Sequence, residues 1–144
     1  MTRKRGVFGG LLALALSASC LSAPTENTPA TVIVRGSWSY VSVQSGGAST
    51  ANGTLALSQD STVRFNGTLD AIEQDSRGQL RHLAAVISGH TIDATLVEFD
   101  VVIDPVTTRH HSGAVKGDSL TGSWVQVTDA GVAASGTFRA HRVP

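Results

Sequence analysis

Five times in this chain a glycine is followed by Ser or Thr and then by a bulky apolar residue. The copies are "RGSW" (Arg35–Trp38), "NGTL" (Asn52–Leu55), "NGTL" again (Asn66–Leu69), "TGSW" (Thr121–Trp124) and "SGTF" (Ser135–Phe138). Each glycine precedes its bulky partner by two positions. On an extended strand, where side chains alternate, both point to the same face; on a helix they would lie on nearly opposite sides. A missing side chain next to a large one on one face suits a narrow, strongly bent sheet. Glycine lets the strand curve and leaves room for a neighbour's ring. The repeat therefore predicts β-structure, with Gly36, Gly53, Gly67, Gly122 and Gly136 inward beside Trp38, Leu55, Leu69, Trp124 and Phe138.

The rest of the chain after the leader agrees. Apolar residues alternate or cluster with Val and Thr, Gly, Asn, Asp and Ser punctuate at short intervals, and no helical period appears. Strands are predicted near 31–44, 51–59, 62–71, 80–88, 91–103, 108–116, 119–127 and 132–142. Short connections make each strand pair with the next. A single sheet with nothing to cover one face removes its exposed edges by closing. The expected fold is all-β, an eight-stranded antiparallel up-and-down (meander) barrel over 31–144.

Two look-alike stretches, "ISGHTIDA" (Ile87–Ala94) and "VKGDSL" (Val115–Leu120), read as tight hairpin turns built on Gly89 and Gly117. They set registers. Ile87 opposite Ile92 places Ala85 on Ala94, Leu83 on Leu96 and Arg81 on Glu98. Val115 opposite Leu120 places His111 on Trp124 and Arg109 on Gln126. The turn around Pro105 then sets Asp100 against His111. On this count one end of the barrel is apolar. The other is a polar mouth of Arg81, Glu98, Asp100, Arg109, His111 and Gln126, with Tyr40, and Trp124 deeper. Asp100 would raise the His111 pKa. A bulge near Leu96 is the open alternative: it turns Val97, Phe99, Val101 and Ile103 inward and returns Glu98 and Asp100 to solvent.

Other chemistry finds little support. His110 and His111 lie on opposite faces of one strand, and His82, His90 and His141 are scattered, so no metal site is expected. No cofactor motif is present, nor a phosphate-binding loop or HExxH. Asp100, His111 and a serine could imitate a triad, but nothing supplies an oxyanion hole.

The first residues point to export. Arg3, Lys4 and Arg5 precede an uncharged, mostly apolar run from Gly6 to Ser19, too short for a stable bilayer span, and then "LSASC". Small residues before Cys20, the only cysteine, resemble the lipobox of bacterial lipoproteins. In that family the cysteine becomes the acylated N-terminus. The resemblance implies a signal peptide over 1–19, a lipidated Cys20 with a tether over 20–30, and attachment to a membrane. An ordinary signal peptide cut after Ala23 would leave Pro24 beside the cut, which disfavours it. Leu21 stands where Gram-negative lipoproteins retained at the inner membrane carry Asp, so the resemblance implies the outer membrane. Without Arg3, Lys4 and Arg5 the chain has 8 basic residues against 11 acidic, which argues against nucleic acid as a partner.

The "GSW" at Gly36–Trp38, opening the first strand of an exported barrel, resembles the start of lipocalins and avidin-like proteins. That likeness implies a barrel interior able to hold a small ligand. It does not carry over a biotin site, because Ser39 and Tyr40 follow and Trp124 is the only other tryptophan. The expected function is a membrane-tethered extracytoplasmic barrel that binds a small or amphipathic molecule or serves as an envelope component. The alternative is a small-barrel enzyme using inward carboxylates and His111 for acid–base chemistry.

Overall fold

The computed structural model describes residues 31–144, so the leader, Cys20 and the tether lie outside the described residues. Eight strands follow in order: β1 (Gly36–Gln44), β2 (Ser49–Gln59), β3 (Arg64–Asp75), β4 (Leu80–Thr91), β5 (Leu96–Asp104), β6 (Thr107–Lys116), β7 (Ser119–Thr128) and β8 (Gly131–Arg142). Each pairs antiparallel with the next, and β8 returns to β1, closing the barrel. The expected architecture is the observed one.

The repeated glycines explain how so small a barrel closes. A Cβ built on Gly53 would lie 2.0 Å from the Asp70 carbonyl oxygen, and one on Gly122 would lie 2.0 Å from that of Ser112. Gly67 and Gly136 come similarly close to a neighbouring strand's backbone. At these points one strand bends until its Cα touches the next, which no other residue permits. The bulky partners Trp38, Leu55, Leu69, Trp124 and Phe138 are all buried.

Residues 31–35 are not strand. They cross the lower end of the barrel, where Val32 and Val34 are buried. The Gln59 side chain takes the place of a strand partner: its Oε1 accepts from Val34 N at 3.1 Å and its Nε2 donates to Val32 O at 3.1 Å. Arg142 buckles this end. Its guanidinium lies 4.3 Å above the Trp38 ring, donates to the Ile33 and Arg35 carbonyls, and reaches Asp118 at 3.2 Å.

The two look-alike turns differ. Gly117 is a true turn glycine with φ +59°, leading a two-residue connection between Lys116 and Ser119. Gly89 has no positive φ; it is a strand residue inside β4, where a Cβ would meet the Phe65 ring at 2.4 Å. The β4–β5 turn falls later, on residues 92–95. There Asp93 Oδ1 accepts from the backbone N–H of Thr95 at 2.7 Å and of Leu96 at 2.8 Å. Ile87 consequently faces Val101, not Ile92. A shift by an odd number of residues reverses every side chain of β5. Val97, Phe99 and Val101 point inward and Leu96 outward, which corrects the pairings of Leu83 with Leu96, Ala85 with Ala94 and Arg81 with Glu98.

The middle of the barrel is filled with rings. His111 stacks on Phe99 with centroids 4.5 Å apart and meets Phe138 edge-on at 5.0 Å, while Tyr40 lies 6.1 Å from Phe138. Ile87, Val115 and Leu120 continue this packing toward the lower end.

Candidate functional site

The upper end, formed where β1, β3, β5 and β7 finish, is open and polar. Register brings its charged groups together: Arg81 of β4 faces Glu73 of β3, and Arg109 of β6 faces Gln126 of β7. Glu73 joins them. Its Oε1 accepts from Arg109 Nη2 at 2.6 Å and its Oε2 from Arg81 Nη2. Arg109 Nε donates to Gln126 Oε1 at 2.8 Å, and the guanidinium lies 4.7 Å above the Trp124 ring. Arg109 is only 3% exposed, yet its Nη1 has no hydrogen-bond partner. Above this floor opens a cup of about 510 Å³, whose walls include Gln44, Ser49, Glu73, Arg81, Arg109 and Gln126.

Ionisation follows from this geometry. Burial pushes the Glu73 carboxyl up, but the hydrogen bonds from Arg109 and Arg81 outweigh it and hold the group below its ordinary value. The floor is therefore a charged triad at neutral pH.

Beneath it, Tyr40 and His111 form a buried polar pair. The His111 Nδ1 lies 3.1 Å from the Arg109 carbonyl, which can only accept, so Nδ1 carries the proton. The lone pair on Nε2 then receives the Tyr40 hydroxyl at 3.0 Å. Burial pushes His111 down to about 4, helped by the Arg109 charge, and pushes Tyr40 up to about 12. The expected rise of the His111 pKa is thus corrected to a fall. Wild type and His111→Gln should give the same Trp124 emission profile between about pH 5 and 8. A His111-dependent change should appear only near pH 4. Because the folded-state value is depressed, His111 favours the fold fully above its unfolded value of 6.5, and that contribution is lost as pH falls toward about 4.

The structure thus brings together Tyr40, Arg109, His111, Trp124 and Gln126, with Arg81, and turns the Glu98 and Asp100 side chains to the outer face of β5. The last two correct the expected mouth, because the β5 register turns them outward. Glu98 lies 3.7 Å from His90, and Asp100 bonds His110, not His111, at 2.5 Å. Both line a second cavity of about 490 Å³ with His90, His110, Ser112 and Ser123, which His111 and Trp124 also border. The acid–base pair of Asp100 and His111 does not form. Among the described residues no three His, Cys, Asp or Glu side chains converge as a metal site. Glu73 is the residue missing from the sequence-based mouth. Continuing the inward alternation Leu69, Ala71 by one step reaches it.

Fold and cup together define a closed eight-stranded meander barrel, packed through its middle and open at one polar end. No protein-family model and no curated protein matches the chain. Solved structures do. The structure of EF1p2_mFAP2b bound to DFHBI aligns with TM-score 0.60 and 14% identity, covering 76% of this chain and 93% of that one. A fluorescence-activating β-barrel designed de novo aligns with TM-score 0.60 and 15% identity, over 76% of this chain and 94% of its own. The redesigned barrel mFAP1 bound to DFHBI gives TM-score 0.58 and 13% identity, over 75% and 94%. At such identities the likeness is one of fold.

Proposed function

We propose that the chain is a lipid-anchored extracytoplasmic barrel of the outer membrane whose upper mouth binds a small molecule. One observation carries the binding half: an open cup set on a buried, hydrogen-bonded Arg109–Glu73 pair. Desolvating such a pair costs several kcal/mol, and well-packed apolar residues in its place are often as stable or more so. Stability alone therefore gives little reason to keep charges on this floor, whereas a ligand does. Gln126, Trp124 and the Tyr40–His111 pair support Arg109 from the side and from below. The mFAP2b and mFAP1 structures are both described as bound to DFHBI, so barrels of this shape accommodate small ligands. The anchoring half is supported by "LSASC" and Cys20. Thr31 enters at the end opposite the mouth, so a tether from Cys20 would direct the mouth away from the membrane.

Mass spectrometry of protein released from the membrane fraction reads both halves. The expected result is acyl mass on Cys20 and a non-covalent small molecule that is lost in Ala134→Phe, which fills the cup from β8. Mature protein without acyl mass would end the anchored reading, and an empty wild type matching Ala134→Phe would end the binding reading.

A further inference from the structure

The hydrogen-bond inventory of the cup is lopsided. Each oxygen of its carboxylate, Glu73, already accepts from a guanidinium, and Gln126 Oε1 accepts from Arg109 Nε. The Ser49 hydroxyl donates to Gln44 Oε1 at 3.0 Å and lies 3.4 Å from Glu73 Oε1. The donors, by contrast, are left over. Arg109 Nη1 is buried without a partner, and the Gln126 amide N–H groups make no hydrogen bond among the described residues. Arg81, 59% exposed along its side chain, spends one nitrogen on Glu73 and keeps the rest of its fork toward the opening. Charge agrees: two guanidinia share one carboxylate on the floor. The other carboxylate at the cup, Asp75, is an exposed rim residue: its Oδ1 caps the β3–β4 turn, accepting from Arg77 N and Gln79 N at 2.8 Å each, and its Oδ2 faces solvent at the rim rather than the floor.

We infer that the mouth takes a ligand with a compact anionic head, a carboxylate or similar oxyanion, seated between Arg81 and Arg109. This rests on the mouth being a small-molecule site. An acceptor-rich anion uses the donors the floor leaves unpaired, whereas a cationic head would meet two guanidinia and floor acceptors that each already bind an arginine. Arg109 is almost fully covered, so an anion meets its Nη1 only by displacing a side chain packed around it. The remainder of the ligand would lie toward Ala48, Leu80, Ala133 and Ala134, the apolar residues around the cup.

The test uses three molecules with one tail, hexanoate, hexan-1-ol and hexylammonium, titrated calorimetrically into the full chain carrying Cys20→Ser. Hexanoate should bind roughly tenfold or more tightly than hexanol, the discrimination that one charged hydrogen bond supplies, with hexylammonium weakest. Arg81→Gln should remove about that factor for hexanoate alone and lower the thermal melt far less than Glu73→Ala, since Arg109 still pairs Glu73. Equal binding of hexanoate and hexanol, or preference for hexylammonium, would overturn the anionic head while leaving the mouth as a ligand site. Binding of none of the three, together with no co-purified molecule in the wild type, would remove both. Hexanoate binding untouched by Arg81→Gln would also overturn the seat between the two arginines.

Discussion

Glu73→Ala should destabilise the barrel by about 3–5 kcal/mol, the cost of leaving one partner of a buried ion pair uncompensated. The stranded charge is Arg109, held between Gln126 and the face of Trp124 and only 3% exposed, so it cannot turn to water without opening the β6–β7 side of the mouth. Arg81 suffers little, because it is already largely in solvent. The assignment of cost to Arg109 predicts a rescue. Glu73→Leu combined with Arg109→Met replaces the pair by apolar side chains and should recover most of the loss in urea unfolding. A double variant as unstable as Glu73→Ala would mean that the cost lies in packing around β3. Acid should weaken the wild type in two stages. His111 favours the fold less as pH falls below its unfolded value of 6.5 toward about 4. Glu73, whose folded-state pKa is depressed, contributes fully above its unfolded value of 4.5, and that contribution is lost as pH falls through the folded value.

This mouth is half legible from sequence, and the division follows the hairpins. The Lys116–Ser119 connection is a two-residue turn led by a glycine in the left-handed region, which fixes register locally. Counting from it places His111 beside Trp124 and Arg109 beside Gln126, as observed. "ISGHTIDA" offers the same letters without the same physics. There the turn is organised by Asp93, four residues past Gly89, and Gly89 is consumed by the approach of Phe65 and Phe99. A glycine thus has two uses in this chain, turning and close packing, and only contacts from distant strands tell them apart. Because one residue of slip inverts a strand, this ambiguity is enough to exchange Glu98 and Asp100 for Phe99 and Val101 inside the barrel.

Glu73 is hidden for a different reason. The apolar alternation stops at 71, yet β3 runs on to Asp75 and the inward row Leu69, Ala71, Glu73 is unbroken. An inward charge at the end of a strand reads as solvent until its partners are known. Those partners, Arg81 and Arg109, come from β4 and β6, and Arg109 reaches it across the interior with no strand pairing between β3 and β6. The fold needs only nearest-neighbour pairing to be inferred. The site needs a contact across the barrel, which no hairpin count supplies.

Gly122→Ala should destabilise the protein nearly as much as Gly122→Val, by about 3 kcal/mol or more, at or above the upper end of ordinary overpacking. The sequence alone argues for a narrow interior in which a branched side chain would not fit, a cost that grows with side-chain size. The geometry points to a harder limit. The first added carbon would already lie 2.0 Å from the Ser112 carbonyl oxygen and 2.6 Å from the Gly113 Cα, and both are backbone. No rotamer relieves a clash at Cβ, so β6 and β7 must separate where Gly113 faces Gly122, loosening the ladder that carries His111 and Trp124. The Phe138 ring, 2.9 Å from the same point, could move; the carbonyl could not without losing its place in the sheet. Ser123→Val supplies the control, one residue along but outward and exposed, where a β-branched residue should stay within about 0.5 kcal/mol. Thermal or urea unfolding of the three variants decides the matter. A melt for Gly122→Ala near that of wild type, with loss only in Gly122→Val, would show that side-chain volume and not strand contact sets the requirement.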